Sequence, residues 1–267
     1  MKNVRNNIIK KIQLLIVNCT LLIFLFSCSS PNNEVASPDG KIRLSFNIDD
    51  EGFMYYDVKV NDSVFIDSSL LGFEAKNGLN LKNSFEITKT EFTSEDETWT
   101  QIWGENKTIR NNYNEMAVHL ENEDSIFLVM RFRLFNDGLG FRYEYKVTDI
   151  DSVIITDELT SFNIKENGTS WSIPADFDSY EHLYRTLPIN EIEDANTPFT
   201  FKTESGIYAS IHEAALIDFP EMTLGLSQSK DKSLKSKVTE NQSSKFKVQL
   251  APYPDGIKAK FEKDTFK

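Results

Sequence analysis

From Ile42 onward, apolar residues recur at every second position: Ile42, Leu44, Phe46 and Ile48 alternate with Lys41, Arg43, Ser45 and Asn47. Successive side chains of a strand point to opposite faces, so this spacing predicts a strand with one side on a core and the other in solvent. Pro38-Asp39-Gly40 just before it predicts a turn. The clearest unit is SIFLVMRFRLFNDGLGFRYEYKV, in which Ile126, Leu128, Met130, Phe132 and Leu134 share one face and Phe141, Tyr143, Tyr145 and Val147 resume the alternation. This pattern predicts a β-hairpin turning at Asp137-Gly138. Arg131, Arg133, Arg142 and Glu144 fall on its other side, where cross-strand ion pairing accounts for them.

Further strand-like runs are 55–60, 116–120, 153–155, 208–211, 222–226 and 246–250, with turn-forming residues between most of them. Helical periodicity is scarce. The fold class read from this spacing is all-β, a large antiparallel sandwich. The polar, lysine-rich stretch 227–245 reads as an exposed loop or a long solvated hairpin.

The first residues follow a different pattern. Lys2, Arg5, Lys10 and Lys11 precede an apolar run from Ile12 to Phe26, about fifteen residues and shorter than the roughly twenty a spanning helix needs. Residues 1–27 are therefore expected to be a cleaved signal peptide. Leu25-Phe26-Ser27-Cys28 resembles a lipoprotein box, with Cys28 as the lipidated first mature residue; Phe26 departs from the commonest form of that box. The other cysteine, Cys19, lies within the signal, so the mature chain is expected to form no internal disulfide. Residues 28–36 read as a flexible tether and 37–267 as one domain. The expected location is the periplasm or outer membrane, with membrane contact through the lipid anchor only.

The net charge of −12 becomes −16 once the four cations of residues 1–27 are removed. That acidity argues against nucleic acid as a partner, because phosphate binding needs a basic footprint. No GxSxG, HExxH, Gly-rich phosphate loop or paired-cysteine motif is present, and His119, His182 and His212 are far apart in sequence. Two acidic stretches hold candidate ligands. Asp176, Asp178 and Glu181 lie within six positions after Trp171-Ser-Ile-Pro, supplying the hard oxygens that suit calcium, although the spacing is not that of an EF-hand. Glu213 follows a strand-like run and is a weaker candidate. Trp99, Trp103 and Trp171 have rings able to stack on sugars, but core packing is the expected role of at least two of them.

Several phrases, in order, resemble the N-terminal domain of glycoside hydrolase family 97. They are Thr98-Trp99-Thr100-Gln101-Ile102-Trp103-Gly104-Glu105, Ile109-Arg110-Asn111-Asn112-Tyr113-Asn114-Glu115, and Arg131 through Glu144 (RFRLFNDGLGFRYE). Asp157 through Phe162 (DELTSF), Thr197-Pro198-Phe199 and Ile211 through Leu216 (IHEAAL) extend the similarity over nearly all of the chain from about Ser37.

The resemblance implies a β-super-sandwich that packs on a (β/α)8 barrel in exported α-glucosidases and α-galactosidases, some inverting and some retaining. It further implies that Glu181 is lent to a calcium ion beside the catalytic carboxylates, which lie on the barrel. The sequence reaches Lys267 before such a barrel, so no catalytic residue is assigned, the chain is expected to be inactive alone, and calcium binding is expected to be weak or absent. The implied partners are a saccharide containing α-linked glucose or galactose and a catalytic barrel, with the chain being either a fragment of the longer enzyme or a split-gene product whose barrel is separately encoded. The alternative is a stand-alone carbohydrate-binding lipoprotein.

Overall fold

The structure, a computed structural model, describes residues 33–266 apart from 77, 148–149, 215, 217–218, 227–243, 251–255 and 261–264. The expected signal peptide, Cys28 and nearly all of the lysine-rich stretch 227–245 lie outside the described residues. Among those described, strands dominate and the sole helical element is the 3-10 turn Ile189–Glu191.

Among the described residues, the strands form four antiparallel sheets. The largest runs in the order Glu34–Ala36, Ile42–Ile48, Met54–Val60, Ser63–Leu71, Ser161–Ile164, Ser244–Leu250, Met222–Leu226 and Asp194–Asn196. The second runs Thr265–Phe266, Gly138–Lys146, Phe127–Phe135, Thr108–Asn122 and Phe85–Thr100. Two smaller sheets complete the set: Ile257–Lys260, Ser152–Glu158, Phe73–Ala75 and Asn80–Leu81 in one, and Arg185–Pro188, Gly168–Ser172, Phe199–Thr203 and Tyr208–Ile211 in the other.

The alternating apolar positions meet between the two largest sheets. Leu44, Phe46 and Tyr56 from the first and Met116, Leu128, Met130, Phe132 and Leu134 from the second are almost fully buried in one core. Phe46 packs on Phe132 with ring centroids 5.7 Å apart, and Tyr56 on Phe141 at 5.4 Å. These tilted ring pairs add to the burial of apolar area that drives the sheets together. Buried hydroxyls find carbonyls: Tyr56 donates to Ser161 O and Tyr145 to Leu81 O, as interior polar groups must.

The expected hairpin forms, with Phe135 opposite Gly138, so its linking residues are Asn136-Asp137, one position earlier than the pattern predicts. Asn136 is held there by a long-range bond, its Oδ1 accepting from the Asp39 N–H in the turn expected at Pro38-Asp39-Gly40. On the outer face Arg131 binds both oxygens of Glu144, at 2.9 and 3.0 Å. The same guanidinium reaches Glu115, which also accepts from Arg133. Although burial works against it, these bonds hold the Glu115 carboxyl below its usual range.

One boundary shifts. Glu34–Ala36, expected at the end of a tether, is a strand paired with Ile42–Ile48, with Val35 opposite Leu44 and buried. An apolar Val35 one step out of a polar tract is enough to add an edge strand once Leu44 offers it a partner.

Candidate functional site

The acidic segment leaves strand Gly168–Ser172, whose Trp171 pairs opposite Thr200 and Thr186 in adjacent strands, and returns through Arg185–Pro188. Between them the backbone has no regular structure and is held by side chains. Ala175 N–H donates to Asp194 Oδ1 at 3.0 Å and Asp176 N–H to Asn196 Oδ1 at 3.3 Å. Asp176 spends one carboxylate oxygen on the Asp178 N–H, at 2.9 Å, and the other on the His182 ring, at 2.7 Å. Those contacts, the backbone bond first, keep the Asp176 carboxyl below its usual range. Asp176 is thus a clamp of the loop. Tyr180 is tethered through its hydroxyl to Glu221 at 2.7 Å.

Asp178 and Glu181 are exposed. The Glu181 N–H bonds to Ser179 Oγ at 3.0 Å, which sets the turn at that residue. Exposed on a braced turn, the Glu181 carboxylate fits a calcium site as one oxygen donor. No group of three His, Cys, Asp or Glu side chains among the described residues is arranged to hold a metal. The expected acidic triplet is therefore divided: one member clamps the loop and two face solvent.

Glu213 has a different use. One of its oxygens accepts from Thr197 Oγ1 at 2.8 Å and the other from the Met222 N–H, so it braces the cis Thr197–Pro198 peptide against strand Met222–Leu226. It lines an open depression of about 380 Å³ together with Tyr180, His212, Leu216 and Glu221. The three histidines remain apart in their contacts, His119 with Glu91, His182 with Asp176 and His212 with the Glu213 carbonyl.

The tryptophans are not core residues. Trp103 is 88% and Trp99 49% exposed at the far end of the hairpin Phe85–Thr100/Thr108–Asn122, and Trp171 is half-buried beside Tyr208, their planes 8° apart. Sequence reasoning also passed over Glu158, an acid enclosed beside Phe73. Burial, and after it the nearby charges of Asp157 and Glu213, push its carboxyl up to about 7, against a hydrogen bond with Thr160 and the opposing charge of Lys247.

The sequence matches the family model described as Glycosyl-hydrolase 97 N-terminal over residues 35–254. Among solved structures, a glycoside hydrolase family 97 enzyme from Pseudoalteromonas sp. strain K8, determined in complexes with panose and with acarbose, is similar at 33% identity and a TM-score of 0.75. That match covers 87% of this chain and 34% of the enzyme. A beta-arabinopyranosidase shares the fold at a TM-score of 0.68 and 21% identity, over 81% of this chain and 35% of its own. This chain therefore belongs to glycoside hydrolase family 97 and corresponds to its N-terminal domain.

Proposed function

We propose that this protein is the non-catalytic N-terminal domain of an α-glycosidase, packs on a catalytic barrel and lends Glu181 to a calcium ion at that junction, within carbohydrate metabolism. The observation that carries the reading is the family match over residues 35–254, together with a structural likeness that covers only 34% of the Pseudoalteromonas enzyme. The complexes of that enzyme with panose and acarbose support a saccharide as the ligand of the whole assembly. Glu181 supports the finer part, being an exposed carboxylate on a braced turn. A bound calcium would supply a positive centre able to polarise substrate or order catalytic groups; the role of this chain is to present one oxygen to it from a positioned loop.

The deciding assay is hydrolysis of aryl α-glucoside and α-galactoside, with calcium, by the purified protein alone and mixed with the product of the adjacent downstream gene. Activity in the mixture only would support the reading with a separately encoded barrel, whereas activity of the protein alone would refute a non-catalytic role. A second reading, a free carbohydrate-binding module, draws on Trp171 and the exposed Tyr208 stacked beside it. It would be favoured by saturable oligosaccharide binding to the isolated protein that is lost in Trp171→Ala.

We further propose export and lipid anchoring through Cys28; among the described residues no helix is long and apolar enough to cross a membrane. Metabolic labelling with a fatty-acid analogue should mark the unaltered protein and not Cys28→Ser. Equal labelling of both would remove the anchor.

A further inference from the structure

The strands Phe85–Thr100 and Thr108–Asn122 stay paired to their last residues, Thr100 opposite Thr108. The next strand in the sheet, Phe127–Phe135, accompanies them only from Asn114 to Glu121. Beyond Asn114 and its partner Ser94 the hairpin continues as a two-stranded ribbon, roughly 20 Å long at about 3.3 Å per residue. Such a ribbon alone is marginal in water, and here polar clamps secure it. Arg110 makes two 2.7 Å bonds to Asp96, and Asn111 one of 2.8 Å to Glu97. At its foot the Arg133 guanidinium lies 4.5 Å from the centre of the Tyr113 ring, which in turn packs on Phe135.

This braced arm presents apolar side chains to solvent. Ile102 is fully exposed and Trp103 88% exposed at the tip, with Trp99 just below. Large apolar groups held out on a preorganised scaffold are the usual anchors of protein interfaces. The tip's surroundings select among occupants. Glu95, Asp96, Glu97 and Glu105 outnumber Lys107 and Arg110 along the ribbon. Two such arms on a chain of net charge −12 repel one another, and anionic lipid headgroups repel them as well. The complementary surface is an apolar cleft with a basic rim.

We propose that the Trp99–Ile102–Trp103 tip is a clasp that inserts into such a cleft on the barrel-containing part of the glycosidase. This rests on the reading of the chain as the non-catalytic domain of that enzyme, of which the matched region is about a third.

The test titrates the purified protein against a stated probe, the polypeptide of the Pseudoalteromonas sp. strain K8 enzyme that lies outside the region matched here, used only after circular dichroism and a cooperative thermal melt establish that it is folded. The unaltered protein should bind, and Ile102→Ser/Trp103→Ser should bind at least tenfold more weakly with an unchanged circular dichroism spectrum. A surface control, Val64→Thr, should bind normally. In a Trp99→Phe/Trp171→Phe background, Trp103 fluorescence should become shielded from acrylamide on mixing. Equal affinity of the unaltered protein and the tip variant would overturn the clasp and leave domain packing intact, while no binding by either would overturn both. A dimer in sedimentation, or capture on phosphatidylcholine/phosphatidylglycerol vesicles, abolished by the tip substitutions would assign the clasp to a different occupant and overturn the proposal.

Discussion

Glu158 shows how one carboxyl can tie stability to pH. Its raised folded value of about 7 compares with about 4.5 for an ordinary glutamate. The neutral acid is therefore the form the fold accepts. The stabilising balance is complete below about pH 4.5, declines as pH rises and the unfolded chain alone releases its proton, and is lost above about pH 7. A shift of that size corresponds to at most about 3 kcal/mol. Glu158→Gln, neutral throughout, should match the unaltered protein near pH 4 and exceed it in urea midpoint by pH 8. Parallel stability curves from pH 4 to 8 would show that the carboxyl is not enclosed as described. The charges that bear on it are Asp157, Glu213 and Lys247, and Lys247 itself pairs with Asp157.

At the scale of an element, the turn between Ile48 and Met54 anchors the start of the strand Phe85–Thr100. Asp49 Oδ1 accepts from the Glu51 and Phe53 N–H groups, and Gly52 takes φ +75°, a left-handed conformation that side chains disfavour. A Cβ at Gly52 would sit 2.4 Å from the backbone nitrogen of Phe85, the first residue of that strand. Gly52→Ala combines left-handed strain with a backbone clash, and should cost about 2–3 kcal/mol in chemical denaturation. A loss below about 0.5 kcal/mol would mean that the turn relaxes freely and does not hold the start of the strand. Gly40, also left-handed but with open space around its Cβ position, is the natural control and should lose less.

For the whole molecule, the proposed calcium role rests on Glu181 alone, since no group of three His, Cys, Asp or Glu among the described residues is arranged to hold a metal. Calcium takes six to eight oxygens, and a single exposed carboxylate competes poorly with the ion's own hydration. Calorimetric titration of the protein with calcium should therefore give weak or undetectable heat, and Glu181→Gln should leave the profile unchanged. Submicromolar affinity lost in that variant would contradict the proposed sharing of the site with a second domain. In a mixture active with the adjacent gene product, the same substitution should raise the calcium concentration needed for half-maximal activity.

The sandwich itself was legible in the sequence because one buried face per strand forces a period of two. The residues read as inward in the hairpin from Ile126 to Val147 are buried or partly buried, and the charged face opposite forms ion pairs as expected. Local order alone could not reveal the rest, for three physical reasons. The arm has solvent on both faces over its outer length, so its sequence carries no hydrophobic period and its strands escape a pattern search. In Ser152–Glu158 an irregularity between Ile155 and Asp157 reverses the alternation, turning Glu158 inward where simple counting would place Asp157. Within the acidic loop and at Glu213, composition marks four carboxylates of similar promise, Asp176, Asp178, Glu181 and Glu213, but only the folded chain decides which are spent as braces: Asp176 on the Asp178 N–H and the His182 ring, Glu213 on Thr197 and Met222. The sequence by itself determined an all-β family 97 domain with Glu181 as a candidate; tertiary structure decided which acids are occupied and where the aromatic residues face, because both depend on partners that only the folded backbone brings into reach.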